Sequence, residues 1–325
     1  MHRPPHPLHE PRPPDAGGRG RLRAGTLLLA PLVAWASGCA RDADPAGARR
    51  AEAARPLVVA SIFPLGDLAA RVGGDAVRVQ VLLPPRASPS TFEPTARQVA
   101  SLSGAAAYLF VGGGMDRWAE VLVPAGPEAP VVRVTEGLAL RDEEEHRGEG
   151  ETGNPHVWLD PVRVRDELLP RIASALVAAA PGEAGAIAER RAALADSLTA
   201  LDAEIRKTLE DVPSRAFVST HGAWTYFAER YDLVPLGSVY GSPGREPSSR
   251  GLARLVEAAR RAGVRAVFVE PQLGEAGTRA VAGELGLDVH LLDPMGGAGQ
   301  AGRDDYLSLM RFNARQMAKA LGGGS

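Results

Sequence analysis

Two α/β lobes with mainly parallel sheets, joined by one long rigid helix, are the fold class that this 325-residue sequence predicts. Three observations carry the prediction. Short apolar runs alternate with helical patterns from Leu57 onward, as βα units require. The runs fall into an early and a late series. Between the series lies a stretch with neither Gly nor Pro and an unbroken helical stripe.

In the early series Leu57–Ile62, Val77–Leu83, Ala107–Val111 and Val131–Val134 read as buried strands. In the late series Ala216–Ser219, Val234–Val239, Ala266–Val269 and Val289–Leu292 do the same. Helical patterns separate them, such as Ser248 to Ala262, with Leu252, Leu255, Val256 and Ala259 on one face. The connector runs from Ala186 to Val212. Its apolar positions Ile187, Leu194, Leu198, Leu201, Ile205, Leu209 and Val212 recur at helical steps, and Pro213 ends it. At 1.5 Å per residue it would reach about 40 Å, longer than a small domain is wide, and so reads as a stiff connector along both lobes, with an ordinary long surface helix inside one domain as the alternative. No internal sequence repeat is evident.

The first 55 residues stand outside the fold. Residues 1–18 are rich in Pro and His and lack apolar periodicity. Arg19, Arg21 and Arg23 then precede an apolar run, Ala24 to Trp35, and the small residues Ala36, Ser37 and Gly38. A basic flank, a short apolar stretch and small residues make a secretory signal. Cys39 follows at once and is the only cysteine, where a bacterial lipoprotein signal is cut and the new terminus lipidated; a free thiol is the alternative. No later stretch approaches the ~20 apolar residues of a membrane helix. The expected layout is a signal peptide with its extension at 1–38, a lipid-anchored tether at 39–55, an α/β lobe at 56–185, the linking helix at 186–212 and a second lobe at 213–322. An exported monomer of the cell envelope or periplasm, held to a membrane by its lipid, is expected.

Charge narrows the partners. Lys and Arg number 37 against 39 Asp and Glu, so no global field draws in nucleic acid. The acidic run around His146, from Asp142 to Glu151, reads as a solvated loop, with attraction of a metal as the alternative.

Ligands of parallel sheets gather beyond the carboxyl ends of the strands. That rule selects His221, Glu270 and Asp293 in the second lobe, and in the first the loop Pro84–Pro94 and Asn154-Pro155-His156. Imidazoles and carboxylates gathered there would suit a borderline ion such as Zn²⁺. Each has a plainer reading as well. Glu270 could orient a histidine rather than bind metal, Asp293 before Pro294 could form a turn, and His290 inside a strand reads as packing. Asp160 before Pro161 reads as a helix N-cap.

Several strings then carry a resemblance. They are Val58-Val59-Ala60-Ser61-Ile62-Phe63-Pro64-Leu65, Leu83-Pro84-Pro85 with Ser90-Thr91-Phe92-Glu93-Pro94, and Asn154-Pro155-His156-Val157-Trp158-Leu159-Asp160-Pro161. Further on come Ser219-Thr220-His221-Gly222-Ala223-Trp224-Thr225-Tyr226-Phe227, Glu246-Pro247-Ser248, Phe268-Val269-Glu270-Pro271-Gln272 and Leu292-Asp293-Pro294-Met295-Gly296. In this order, over nearly all of Pro56 to Leu321, the chain resembles the solute-binding proteins of zinc and manganese ABC importers, the cluster A-I or TroA-like family. The resemblance implies two lobes bridged by a rigid helix, a divalent metal between them, and a membrane permease as partner. It places His156, His221 and Asp293 on metal-binding positions. Histidine at 221 resembles the zinc-type members, with Mn²⁺ the second candidate. The chain departs from the family at Ser90, where a histidine is usual. Water, Glu270, Glu93 or His146 would then complete the coordination.

Capture and delivery of the ion is the function this implies. A zinc-dependent hydrolase with an open coordination position is an alternative, opposed by the lack of a His-Glu-x-x-His helix or a Gly-x-Ser-x-Gly elbow. A metal-free adhesin or scaffold is another, suggested by Ser90.

Overall fold

The computed structural model describes residue 52 and residues 54–123, 129–141, 153–241 and 248–322. The expected signal segment, Cys39, His146 and the Glu246-Pro247 pair lie outside them. In the first lobe β1 (Leu57–Ala60) leads into helix α1 (Phe63–Gly73), then β2 (Arg78–Val81), α2 (Ala96–Ser101), β3 (Ala107–Phe110), β4 (Val131–Arg133) and α3 (Leu169–Ala179). The linking helix α4 is Ala184–Leu209. The second lobe follows with β5 (Ala216–Ser219), α5 (Thr225–Arg230), β6 (Val234–Ser238), α6 (Ser249–Arg261), β7 (Ala266–Val269), α7 (Ala276–Leu285), β8 (Val289–Leu291) and α8 (Tyr306–Leu321).

All pairings are parallel, in the orders β2-β1-β3-β4 and β6-β5-β7-β8. The two sheets thus share one topology, which the sequence did not betray. In each, the strand order reverses beside the first strand, and the crevice beyond that reversal is where parallel sheets bind ligands. Ser61 and the loop at Gly112 leave this point in the first sheet, His221 and Glu270 in the second.

Helix α4 buries Ile187, Leu194, Leu198, Leu201, Ile205 and Leu209, the stripe read from the sequence. Each such burial is worth roughly 1.5–3 kcal/mol against exposure. The helix begins two residues earlier than expected and stops at Leu209; Val212 lies beyond it and still packs on the core. Its first half is tied to the first lobe, where Arg190 donates to the carbonyls of Val72 and Gly73 at 2.8 Å and so satisfies the end of α1. Its second half meets the second lobe through Glu204, 2.7 Å from Arg311 on α8. Helix α8 reaches back in turn: the Tyr306 amide donates to Asp67 of α1 at 2.9 Å. One apolar core therefore runs from Leu65 and Leu68, through the α4 stripe, to Phe217 and Met310.

Asp160 caps the turn that opens at Pro161, accepting from the amides of Val162 and Arg163, and pairs with Arg230 at 2.8 Å. His290 is half-buried on β8 beside Phe268, and burial, then Lys319, holds its imidazole below the ordinary range. Both residues have the structural roles expected of them. Among the described residues no helix is long and apolar enough to cross a membrane.

Candidate metal centre

The crevice between the lobes is a cleft of about 280 Å³ whose walls include Ser90, Met115, His156, His221, Glu270 and Met295. It has room for an ion and several waters at about 30 Å³ each. Three glycines with positive φ, Gly112, Gly113 and Gly114, turn the chain sharply after β3. Gly113 and Gly114 line the cleft. Buried Asp116 holds that turn, accepting from Ser61 Oγ at 2.5 Å and from the Gly112 amide at 3.0 Å. Burial raises its carboxyl pKa despite these bonds.

His156 enters from the first lobe. Its Nδ1 lies 2.8 Å from Asn154 Oδ1, and the Asn154 Nδ2 group donates to the Gly222 carbonyl at 2.8 Å, which fixes the amide's orientation. An amide oxygen only accepts, so the ring proton sits on Nδ1 and the Nε2 lone pair is turned outward. His221 follows β5 in the second lobe. Its Nδ1 is 2.6 Å from Glu270 Oε2, and Trp224 Nε1 donates to Glu270 Oε1 at 3.2 Å. The negative charge of a carboxylate at that distance favours a proton on Nδ1 and so the same tautomer. The two Nε2 atoms then face one another across 3.3 Å. Tetrahedral zinc with Zn–N bonds of about 2.0–2.1 Å sets its nitrogens about 3.3–3.4 Å apart.

The other expected residues are placed differently. Glu270 stands behind His221, on the far nitrogen from the facing pair. Ser90 lines the cleft, its Oγ 2.8 Å from Ser88 Oγ. Glu93 is exposed and is not part of the cleft wall. Asp293 does not join the imidazoles: its carboxylate is buried and turned to Arg303 at 2.7 Å. Among the described residues no three His, Cys, Asp or Glu side chains stand together as a metal-holding group. Two of the three expected ligands are thus paired in this structure, and the carboxylate of the third is engaged by Arg303. Asn154 was named in the sequence only as part of its string and without a role, and Arg303 was not singled out at all. An amide two residues before a candidate histidine was the available sign of the first; nothing local marks the second.

Glu270→Gln retains the shape but weakens the hold on the Nδ1 proton, and zinc affinity should drop about 10–100-fold, read by competition with a chelator.

The family model described as zinc-uptake complex component A, periplasmic, matches residues 58–320. The zinc-binding lipoprotein AdcA of Streptococcus pneumoniae serotype 4 is 27% identical over 275 residues, covering 80% of this chain; the match spans only 54% of that relative. The high-affinity zinc uptake system protein ZnuA of Bacillus subtilis is 25% identical, with 92% of this chain and 97% of the relative covered. A crystal structure of a ZnuA deletion mutant with zinc bound superposes with a TM-score of 0.72 at 31% identity, over 83% of this chain and 100% of that one.

Proposed function

The chain belongs to the family of zinc-uptake complex component A, and from that premise we propose that it captures a divalent metal ion, Zn²⁺ first, outside the cytoplasm and delivers it to an ABC importer. The work is binding and transfer rather than catalysis, in keeping with a component of an uptake complex. One observation carries the reading: two imidazole nitrogens, one from each lobe, face each other at 3.3 Å, the separation that tetrahedral zinc requires. In this reading His156 and His221 ligate the ion, Asn154 and Glu270 aim them, and water on the Ser90 side fills the remaining positions.

The Ala-Ser-Gly-Cys string and the lipoprotein name of the pneumococcal relative support a lipid anchor at Cys39, with the protein acting as a monomer near its permease. Two nitrogen donors favour zinc over the harder Mn²⁺, which remains the weaker ligand of the same site.

Calorimetric titration tests the proposal. One Zn²⁺ per chain is expected, with Mn²⁺ bound more weakly; a protein that takes up no zinc ends it. Ser90→His adds a third imidazole to the cleft wall and should raise zinc affinity by about tenfold or more. An unchanged affinity in that variant would place the ion elsewhere than between Ser90 and the two histidines.

A further inference from the structure

We propose that Arg303 sets the metal preference of this site by holding the Asp293 carboxylate out of it. The inference rests on the reading of the cleft as a zinc site and concerns residues beside its wall.

Asp293 leaves the end of β8 and is 2% exposed. Its Oδ1 accepts from Gln272 Nε2 at 2.8 Å and from the amides of Met295 and Gly296 at 3.0 Å each. Its Oδ2 accepts from Arg303 Nη1 at 2.7 Å. Four donors leave this carboxylate little capacity for a cation. The guanidinium is equally built in. It lies 5.0 Å over the Phe312 ring, and the Arg303 backbone closes the loop that Asp293 opens, its carbonyl accepting from the Gly297 amide at 3.1 Å. Gly296 sits at φ +63°, where a Cβ would come within 2.6 Å of that carbonyl, so the loop and the ion pair are fitted to one another. Drawing Asp293 toward an ion would deprive a half-buried arginine of its carboxylate partner, which is unfavourable.

Gln272, Pro294 and Met295 line the cleft, and Asp293 beside them is almost fully buried with its carboxylate turned to Arg303. The ion therefore meets neutral imidazoles without this carboxylate. Nitrogen donors suit zinc, while manganese depends on oxygen donors. Arg303 is thus a positioning residue with a consequence for selectivity: it withholds the oxygen ligand that manganese would need.

Affinities for Zn²⁺ and Mn²⁺ measured on the wild-type protein, Arg303→Gln, Asp293→Asn and the double variant decide the matter. Arg303→Gln should strengthen manganese binding by at least about tenfold and zinc binding less, so that the preference for zinc narrows. The double variant should return manganese binding to the wild-type level, a reversal that a merely structural role for the pair would not produce. Asp293→Asn alone should lower zinc affinity by less than about tenfold. An unmoved zinc-to-manganese ratio in Arg303→Gln overturns the proposal. So does a larger zinc loss in Asp293→Asn, which would make Asp293 a ligand already. Should Arg303→Gln fail to fold, the Asp293→Asn titration decides alone. A wild-type protein without zinc affinity ends the capture reading itself; zinc binding with an unmoved ratio ends only this inference.

Discussion

Alanine at His221 removes one of two facing imidazoles, and zinc affinity falls by at least about 100-fold. The magnitude follows from comparison: loss of an outer partner alone typically costs 10–100-fold, and a nitrogen bonded to the ion counts for more. Alanine at His156 should do the same, because each lobe contributes one half of the 3.3 Å pair. Competition with a chromogenic chelator reads both variants. His221→Ala also leaves the buried Glu270 carboxylate with Trp224 as its remaining partner in this arrangement, so a stability loss of about 1–3 kcal/mol accompanies it. Circular dichroism at the titration temperature separates the two effects. An alanine variant that keeps zinc within about threefold of the wild type would remove the imidazole pair from the site.

Trp158→Ala should be the most destabilising single change near the cleft, by about 3–5 kcal/mol. The indole is fully buried, its ring centroid is 5.0 Å from that of His156, and its Nε1 donates to the Pro294 carbonyl at 2.8 Å. The Trp158 carbonyl accepts from Tyr306 Oη at 2.6 Å. The residue therefore joins the first lobe both to the loop after β8 and to α8. Trp158→Phe preserves most of the volume and loses one hydrogen bond, for which about 1 kcal/mol is expected. Chemical denaturation of both variants measures the difference. Equal losses for Ala and Phe would assign the effect to the hydrogen bond and not to packing.

Legibility in the sequence followed physical scale. All eight expected strands are present; the inner strands β1, β3, β5 and β7 are buried and so written as local apolar runs, while β2, β4, β6 and β8 are only partly buried and kept enough apolar residues to be read. Their ends were overextended by up to two residues, since Ile62 and Leu83 stay apolar after the ladder stops. The α4 stripe was legible for the same local reason; Val212 misled because it packs on the core from outside the helix. His156, His221 and Glu270 followed from the rule for strand ends. Asp293 obeyed that rule too, yet its carboxylate is claimed by Arg303, ten residues away in a glycine-rich loop without periodicity. Such a pairing is decided by the path of a loop, which no hydrophobic pattern records. The shared strand order of the two sheets was equally hidden, because topology can repeat where side chains do not.

The apolar core that threads both lobes has a kinetic consequence. Halves welded along a common interior have little freedom to swing apart, so on the proposed function entry and escape of the ion would fall to side chains at the mouth. Residence time can then be adjusted by a single residue such as Ser90 while the scaffold is left as it was.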